Sequence, residues 1–450
     1  MRSLRSGFSL TSLVTGLATA GALLLAAPAS HAADAPLRDL AAAQGKAIGT
    51  AVTGSKLNGT YAEVAAREFN WLTPGNAMKW ESVEPSRSSF NWAEADQIVD
   101  FAEAHGQRVR GHTLVWHSQN PSWLTDGGFT PAQLRTLLMD HIDTEVTRYR
   151  GRVAAWDVVN EPFNEDGTYR QTLWSDALGQ DYIAEALTRA RAADPDARLY
   201  INDYNVEGVN AKSTALYDLV RSLKERGVPI DGVGLQAHLI LGQVPGTLQQ
   251  NIQRFADLGV DVAITELDIR MQLPATEAKL AQQAADYRAV MDACVAVDRC
   301  TGATVWGFTD SDSWIPDFFE GYGAATPYDE AYAPKPAYDA IAASLGGTTE
   351  PPGEGCTATY GVVNQWDTGF TGEVRVDCAD TALSAWRVTW TYGAGQRVTQ
   401  SWNATCTQSG AAVTCTNASY NGTVPRGGSV TFGFNGTWSG GNPVPVVTLG

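Results

Sequence analysis

Two glutamates stand at the ends of apolar, strand-like runs. Glu161 closes Trp156-Asp157-Val158-Val159-Asn160-Glu161-Pro162, and Glu266 lies in Ile264-Thr265-Glu266-Leu267-Asp268-Ile269. A carboxylate ending a run that must be buried is costly unless it is paired or used. One such glutamate alone reads most simply as a structural group. Two read as a carboxylate pair, and such a pair can cleave an acetal. One carboxyl, protonated, donates to the leaving oxygen; the other, ionised, attacks the anomeric carbon or activates water. A gap of about 5–5.5 Å implies retention through a covalent sugar–enzyme intermediate, and a wider gap implies inversion.

The pair needs a frame that brings two strand ends together. Eight segments read as buried strands: Ala47–Val52, Phe69–Thr73, Arg108–Leu114, Val153–Asn160, Leu199–Tyr204, Gly232–Ala237, Val262–Leu267 and Thr304–Thr309. Amphipathic stretches lie between most of them. Leu134, Leu137, Leu138, His141 and Ile142 show helical spacing, as do Ala215, Leu216, Leu219, Val220 and Leu223. Eight β-then-α units predict an α/β fold, a (β/α)8 TIM barrel over residues 34–345. Reactive groups in such a barrel sit at the C-terminal strand ends, where both glutamates fall. A doubly wound open sheet is the alternative, but no glycine-rich nucleotide loop follows the first strand.

Composition narrows the partners. The 450 residues carry 32 Lys+Arg against 49 Asp+Glu, a net charge of −17, which argues against a nucleic-acid backbone or an anionic membrane surface. Hydrophobic residues at 44% and charged residues at 18% exclude a disordered chain. The 14 tryptophans suit sugar-binding faces, and equally suit core filling. Residues 1–33 read as a secretory leader, with Arg2 and Arg5 before the apolar stretch Phe8–Ala27 and the small-residue site Ala29-Ser30-His31-Ala32. No later run approaches the ~20 apolar residues that span a bilayer. The mature protein is therefore expected to be extracellular, soluble and free of membrane.

Six cysteines fit that compartment. Cys294 and Cys300 lie six apart. Cys406 and Cys415 flank the turn signal Gln408-Ser409-Gly410, and Cys356 and Cys378 flank Gln365 to Gly369, so both pairs are placed to bridge hairpins. A metal site would need Cys-x-x-Cys or His-rich spacing, which does not occur. Neither metal nor organic cofactor is expected, because two carboxylates and water suffice for acetal hydrolysis.

The composition changes at residues 346–355, Gly-Gly-Thr-Thr-Glu-Pro-Pro-Gly-Glu-Gly, which read as a linker. Beyond it, segments such as Val374-Arg375-Val376 and Arg387-Val388-Thr389-Trp390 alternate with period two between glycine turns. Residues 356–450 are expected to form a β-sandwich.

The motifs Gly111-His112-Thr113-Leu114-Val115-Trp116-His117, Trp156 to Glu161 and Gly259 to Ile269 resemble those of glycoside hydrolase family 10, the endo-β-1,4-xylanases. The resemblance spans about residues 37–345 and implies a retaining (β/α)8 enzyme acting on xylan. It implies Glu161 as acid/base and Glu266 as nucleophile. His238 is implied to bond the nucleophile and to be oriented by Asp268, a network that favours the charged form of Glu266. Lys79 and Asn76 are implied to hold non-reducing-side hydroxyls. His112 and Trp116 would line the sugar next to the cut, and Asn160 would bond its 2-hydroxyl. Gln236 joins the site, Trp306 and Trp314 roof the groove, and Tyr204 stacks on the leaving side. Gly75 stands where the family usually has glutamate, so weaker distal-sugar binding is expected. Pro162 replaces a common alanine.

Asn364 to Phe370, Ser401 to Thr405 and Gly427 to Phe434 resemble a family 2 carbohydrate-binding module. That resemblance implies cellulose or xylan binding through Trp366, Trp402 and Tyr420, the last usually tryptophan. Trp386 and Trp390 are the better core candidates. The module's terminal cysteine has no counterpart, which leaves Cys378 as the replacement partner for Cys356. Asn58, Asn403, Asn417, Asn421 and Asn435 lie in Asn-x-Ser/Thr sequons. A monomer is expected. The rival readings are a β-1,4-glucanase or mannanase on the same barrel, and a non-catalytic polysaccharide-binding protein.

Overall fold

The computed structural model describes residues 35–347, 356–378, 382–426, 428–439, 441–445 and 447–449. The expected leader and most of the expected linker lie outside these residues. Among the described residues, no helix is long and apolar enough to cross a membrane.

Nine strands come first: β1 (Ala47–Val52), β2 (Trp71–Pro74), β3 (Arg108–Val115), β4 (Val153–Asn160), β5 (Arg198–Asp203), β6 (Gly232–Leu235), β7 (His238–Ile240), β8 (Asp261–Gln272) and β9 (Cys300–Val305). Leaving out β7, the other eight pair in parallel in chain order. The circle closes where β9 meets β1. Helices cover the outside, so each strand is buried on both faces and reads as a near-continuous apolar run. The helix Pro131–Arg148 shows how the sequence sets this layer. Pro131 opens it, Thr130 and Gln133 form a capping box, and Leu134, Leu138, Ile142 and Val146 face the barrel.

Strand boundaries shift from the sequence reading. Phe69 lies before β2, because it ends the helix Gly59–Glu68 in an extended conformation. The last barrel strand begins at Cys300 and ends at Val305, four residues earlier than expected, and Gly307 with φ +81° turns the chain away. After β6, Ala237 with φ +63° breaks the strand and β7 restarts beside the end of β8. The long β8 continues beyond the barrel to pair with β10 (Tyr322–Gly323).

The C-terminal region is all β. Its strands are β11 (Cys356–Trp366), β12 (Gly369–Cys378), β13 (Arg387–Thr391), β14 (Arg397–Trp402), β15 (Ala404–Ser409), β16 (Ala412–Asn417), β17 (Ser429–Thr437) and β18 (Val447–Leu449). They form two four-stranded antiparallel sheets, β11-β12-β17-β14 and β15-β16-β13-β18. Phe370, Val374 and Val376 point inward with Phe432 and Phe434, and meet Trp386 and Trp390 in one core. Disulfides join Cys294–Cys300, Cys356–Cys378 and Cys406–Cys415. The last two link residues directly opposite in register, which brings their sulfurs within bonding reach.

Candidate active site

Glu266 points from β8 into the C-terminal mouth of the barrel and is only 4% exposed. Asn202, at the end of β5, donates to Glu266 Oε1 at 2.7 Å, and its own oxygen is fixed by Thr265 Oγ1 at 2.6 Å. His238 bridges two carboxylates, with Nε2 3.2 Å from Glu266 Oε2 and Nδ1 3.0 Å from Asp268 Oδ2. Burial lowers the affinity of this imidazole for its proton. The two carboxylates outweigh burial and push its pKa up to about 10, so both ring nitrogens donate at neutral pH. Burial likewise pushes Glu266 up, but the charges of His112 and His238 and the bond from His238 hold its carboxyl below the ordinary glutamate value. Glu266 is therefore held in its ionised form.

Glu161 follows the last residue of β4 with φ 55°, a left-handed turn that ends the strand and aims the side chain across the mouth. Its amide donates to the Asn202 carbonyl at 2.8 Å, and Arg170 Nε donates to its own carbonyl at 3.0 Å. Gln236 and Asn160 donate to Oε1 at 3.1 and 3.3 Å. His117 Nδ1 lies 3.7 Å from Oε2. One amide layer joins the two carboxylates. Asn202 Nδ2 donates both to Glu266 and, at 2.9 Å, to Asn160 Oδ1, while Asn160 Nδ2 donates to Glu161. The carboxylates thus face one space from walls separated by β5 and β6.

That space is a cleft of about 810 Å³, lined by both glutamates and by Gly75, Asn76, Lys79, His112, Trp116, Asn160, Tyr204, Gln236, His238, Trp306 and Trp314. Every other barrel-site residue singled out in the sequence lines it except Asp268, which is fully buried and acts through His238; Trp314 Nε1 also donates to Asp268, at 2.7 Å. Lys79 donates to Asn76 Oδ1 at 2.8 Å and to Gln119 Oε1 at 2.7 Å, and its ammonium lies 5.0 Å over the Trp116 ring. Burial pulls its pKa down to about 8. His112 is held by Asp157 at 3.0 Å, and Asp157 is in turn gripped by Arg110. Tyr204 accepts from Arg170 at 2.9 Å and has the Lys212 ammonium 3.3 Å from its ring centre.

Sequence reasoning missed several of these groups. Asn202 lies one residue before the end of β5, much as Asn160 ends β4, but an amide at a strand end carries no anomaly that marks it. Asp157 and Arg110 were hidden inside apolar strands. Gln119, Arg170 and Lys212 come from loops or a distant helix, and nothing in their local sequence marks them.

In the C-terminal region, Trp366 and Trp402 are 48% and 41% exposed, and Tyr420 is 74% exposed. Both tryptophans sit on the outer face of one sheet. Each ring covers a glycine directly across the ladder, Trp366 over Gly369 and Trp402 over Gly433, where an added Cβ would fall 2.5 and 2.3 Å from the ring. Glycine there lets the ring lie against the sheet. Tyr420 is tied to the same patch by its hydroxyl, which donates to Asn403 Oδ1 at 2.7 Å. Trp386 and Trp390 are in the core, at 2% and 4% exposed.

A closed parallel barrel with two carboxylates facing one cleft at its C-terminal mouth defines the class: a TIM-barrel site equipped for glycoside cleavage. Residues 36–344 match the family model for glycosyl hydrolase family 10, and residues 356–449 match that for a cellulose binding domain. The chain belongs to glycosyl hydrolase family 10. An endo-1,4-beta-xylanase of Agaricus bisporus is 56% identical over 274 residues, 61% of this chain and 82% of that protein. Endo-1,4-beta-xylanase A of Phanerodontia chrysosporium is 50% identical over 316 residues, 69% of this chain and 78% of that one. Among solved structures, xylanase 10B of Thermotoga maritima superposes with TM-score 0.68 at 43% identity, covering 69% of this chain and 98% of its own. Xylanase 10B of Thermotoga petrophila in complex with xylobiose gives TM-score 0.68 at 43% identity, covering 70% and 99%.

Proposed function

We propose that this protein is a secreted, retaining endo-1,4-β-xylanase with a polysaccharide-binding C-terminal module. The observation that carries the reading is the joined pair of Glu161 and Glu266 in one cleft, one ionised by a protonated histidine, within a chain similar to named xylanases. In the first step Glu161, as the acid, gives its proton to the leaving glycosidic oxygen. The Glu266 carboxylate attacks the anomeric carbon, and the bond to the leaving sugar breaks. In the second step Glu161, now a carboxylate, takes a proton from water. The water oxygen bonds the anomeric carbon and releases Glu266.

Asn160 and Gln236 hold Glu161 while leaving Asn160 near the sugar 2-hydroxyl. His238 and Asp268 keep Glu266 ionised. Lys79, Asn76 and Trp116 hold the non-reducing side with His112 beside the cut. Tyr204 stacks on the leaving side, and Trp306 and Trp314 close the roof. Trp366, Trp402 and Tyr420 supply flat apolar surface for pyranose C–H faces, on cellulose or xylan. Residues 1–33 serve as the leader, residues 346–355 as the linker, and the mature enzyme works as a monomer.

Xylan digestion by wild type and by Glu266→Ala tests the reading. Turnover should fall by about three or more orders of magnitude, since covalent and electrostatic stabilisation are lost together. A Glu266→Ala variant within tenfold of wild type would reject the assignment. Faster hydrolysis of carboxymethylcellulose or mannan than of xylan would favour the rival substrates.

A further inference from the structure

The reaction above uses only the C-terminal mouth of the barrel. At the opposite end, where the strands begin, lies a second cavity of about 400 Å³. It exists because the side chains that should fill this layer are small. Ala155 and Ala263 face it, and Gly302 cannot be enlarged, since a Cβ there would sit 2.0 Å from the Ala47 carbonyl oxygen. Trp71 and Tyr200 form its aromatic walls.

Its charge is opposite to that of the molecule. The chain carries −17, yet four cations, Lys46, Arg108, Arg110 and Arg198, line this cavity against two acids, Asp261 and Asp298. Ion-pair partners do not remove the excess. Asp157 and Asp231 add two carboxylates, but Arg191 and Arg299 share the same acids, which makes six cations against four carboxylates. Lys46 spends its hydrogen bonds on the neutral carbonyls of Val297, Asp298 and Cys300. Arg110 Nε and Nη2 are taken by Asp157, and its guanidinium lies 4.3 Å over Tyr200. Arg108 lies 4.7 Å over Trp71, and its side chain has no carboxylate or carbonyl partner among the described residues. A guanidinium held by its face against a ring leaves its N–H edge for an oxyanion, which it binds in two-point fashion.

We propose that the N-terminal mouth of the barrel binds a small oxyanion, a carboxylate or a phosphate, with Arg108 as the principal contact and Lys46 and Arg110 as supporting charges. Trp71 and Arg108 are register partners on β2 and β3, and Lys46 joins the start of β1 to that of β9. An anion here bridges the strand starts on both sides of β1. The unfolded chain has no such site, so occupancy stabilises the fold by linkage.

The test uses the full chain at low ionic strength, with calorimetric titration and thermal unfolding in sodium glucuronate, inorganic phosphate and neutral xylose. At least one anion should bind, should raise the unfolding midpoint, and should lose about tenfold or more in affinity in Arg108→Gln. Xylan hydrolysis should stay at the wild-type rate. Arg108→Lys keeps the charge without the planar fork, should retain part of the affinity, and serves if Arg108→Gln does not fold. Tighter glucuronate than phosphate assigns a sugar acid as the ligand, and the reverse order assigns phosphate. No binding by either anion, or unchanged affinity in both variants, overturns the site. The outcome is independent of whether the other mouth cleaves xylan.

Discussion

The two sugar-facing regions are built on opposite physical plans. In the barrel, Glu266 is 4% exposed and every hydrogen bond of its carboxylate comes from a side chain that is itself held by another. On the sandwich, Trp366 and Trp402 are nearly half exposed and lie against glycines. Bond cleavage needs charge fixed in advance in a site of low water content, so the protein buries the groups and satisfies them with one another. Adhesion needs flat apolar area that water leaves on contact, so the protein keeps the groups outside and makes room for them with missing side chains. The difference teaches that damage should be catalytic and local in one region, and graded and additive in the other.

After Glu266→Ala, the largest effect expected is from Glu161→Ala, which should slow xylan cleavage by about 10²–10⁴-fold. Steady-state rates would show this, and an aryl xylobioside with a good leaving group should suffer far less in its first step. Retention on cellulose should not change. Equal loss on both substrates would mean Glu161 is not the acid. Next, Trp402→Ala should weaken cellulose retention by about tenfold in a pull-down isotherm, the value of one ring stack. Turnover of soluble xylo-oligosaccharides should be untouched. Gly433→Val, which displaces the ring without removing it, should match that loss. If either variant slows soluble turnover, the regions are not separable. A smaller effect comes from Lys79. With its pKa pulled down to about 8, its ammonium is charged below that pH and neutral above it. KM for xylotriose should therefore rise several-fold, about the difference between a charge-assisted and a neutral hydrogen bond, as pH passes 8. A Lys79→Met profile should be flat across the same range. The smallest shift is expected from Gly75→Glu. A Cβ at Gly75 meets only Val52 O, at 3.6 Å, so the side chain fits. It should improve distal-sugar affinity about two- to threefold and alter product lengths, read by chromatography.

The barrel was legible because β4 and β8 are almost wholly buried and read as largely apolar runs, with a glutamate just after β4 and another within β8. Strand ends were less legible. Thr304–Thr309 looked like a strand because Trp306 and Phe308 are apolar, yet Gly307 turns the chain out after Val305. Phe69 belongs to a helix end for a similar reason: its burial is set by the neighbouring layer and not by the strand. Within the site, the glutamates were visible because a carboxylate ending an apolar run is anomalous. Asn202 was not, since an amide at a strand end carries no such cost until its partners are known. Asp157 with Arg110 stayed hidden because a buried ion pair is readable only when both members are placed across two strands. The exposed aromatics were legible by their turns, but the glycines beneath them were visible only in the ladder register.

The most direct measurement is covalent trapping. An activated 2-deoxy-2-fluoro-xylobioside should inactivate the enzyme with one equivalent bound, and peptide mass spectrometry should place the sugar on Glu266. Glu266→Ala should take up none. A label on any other residue, or full activity with inverted product and no label, would contradict the pairing of Glu161 and Glu266 across one glycosidic bond.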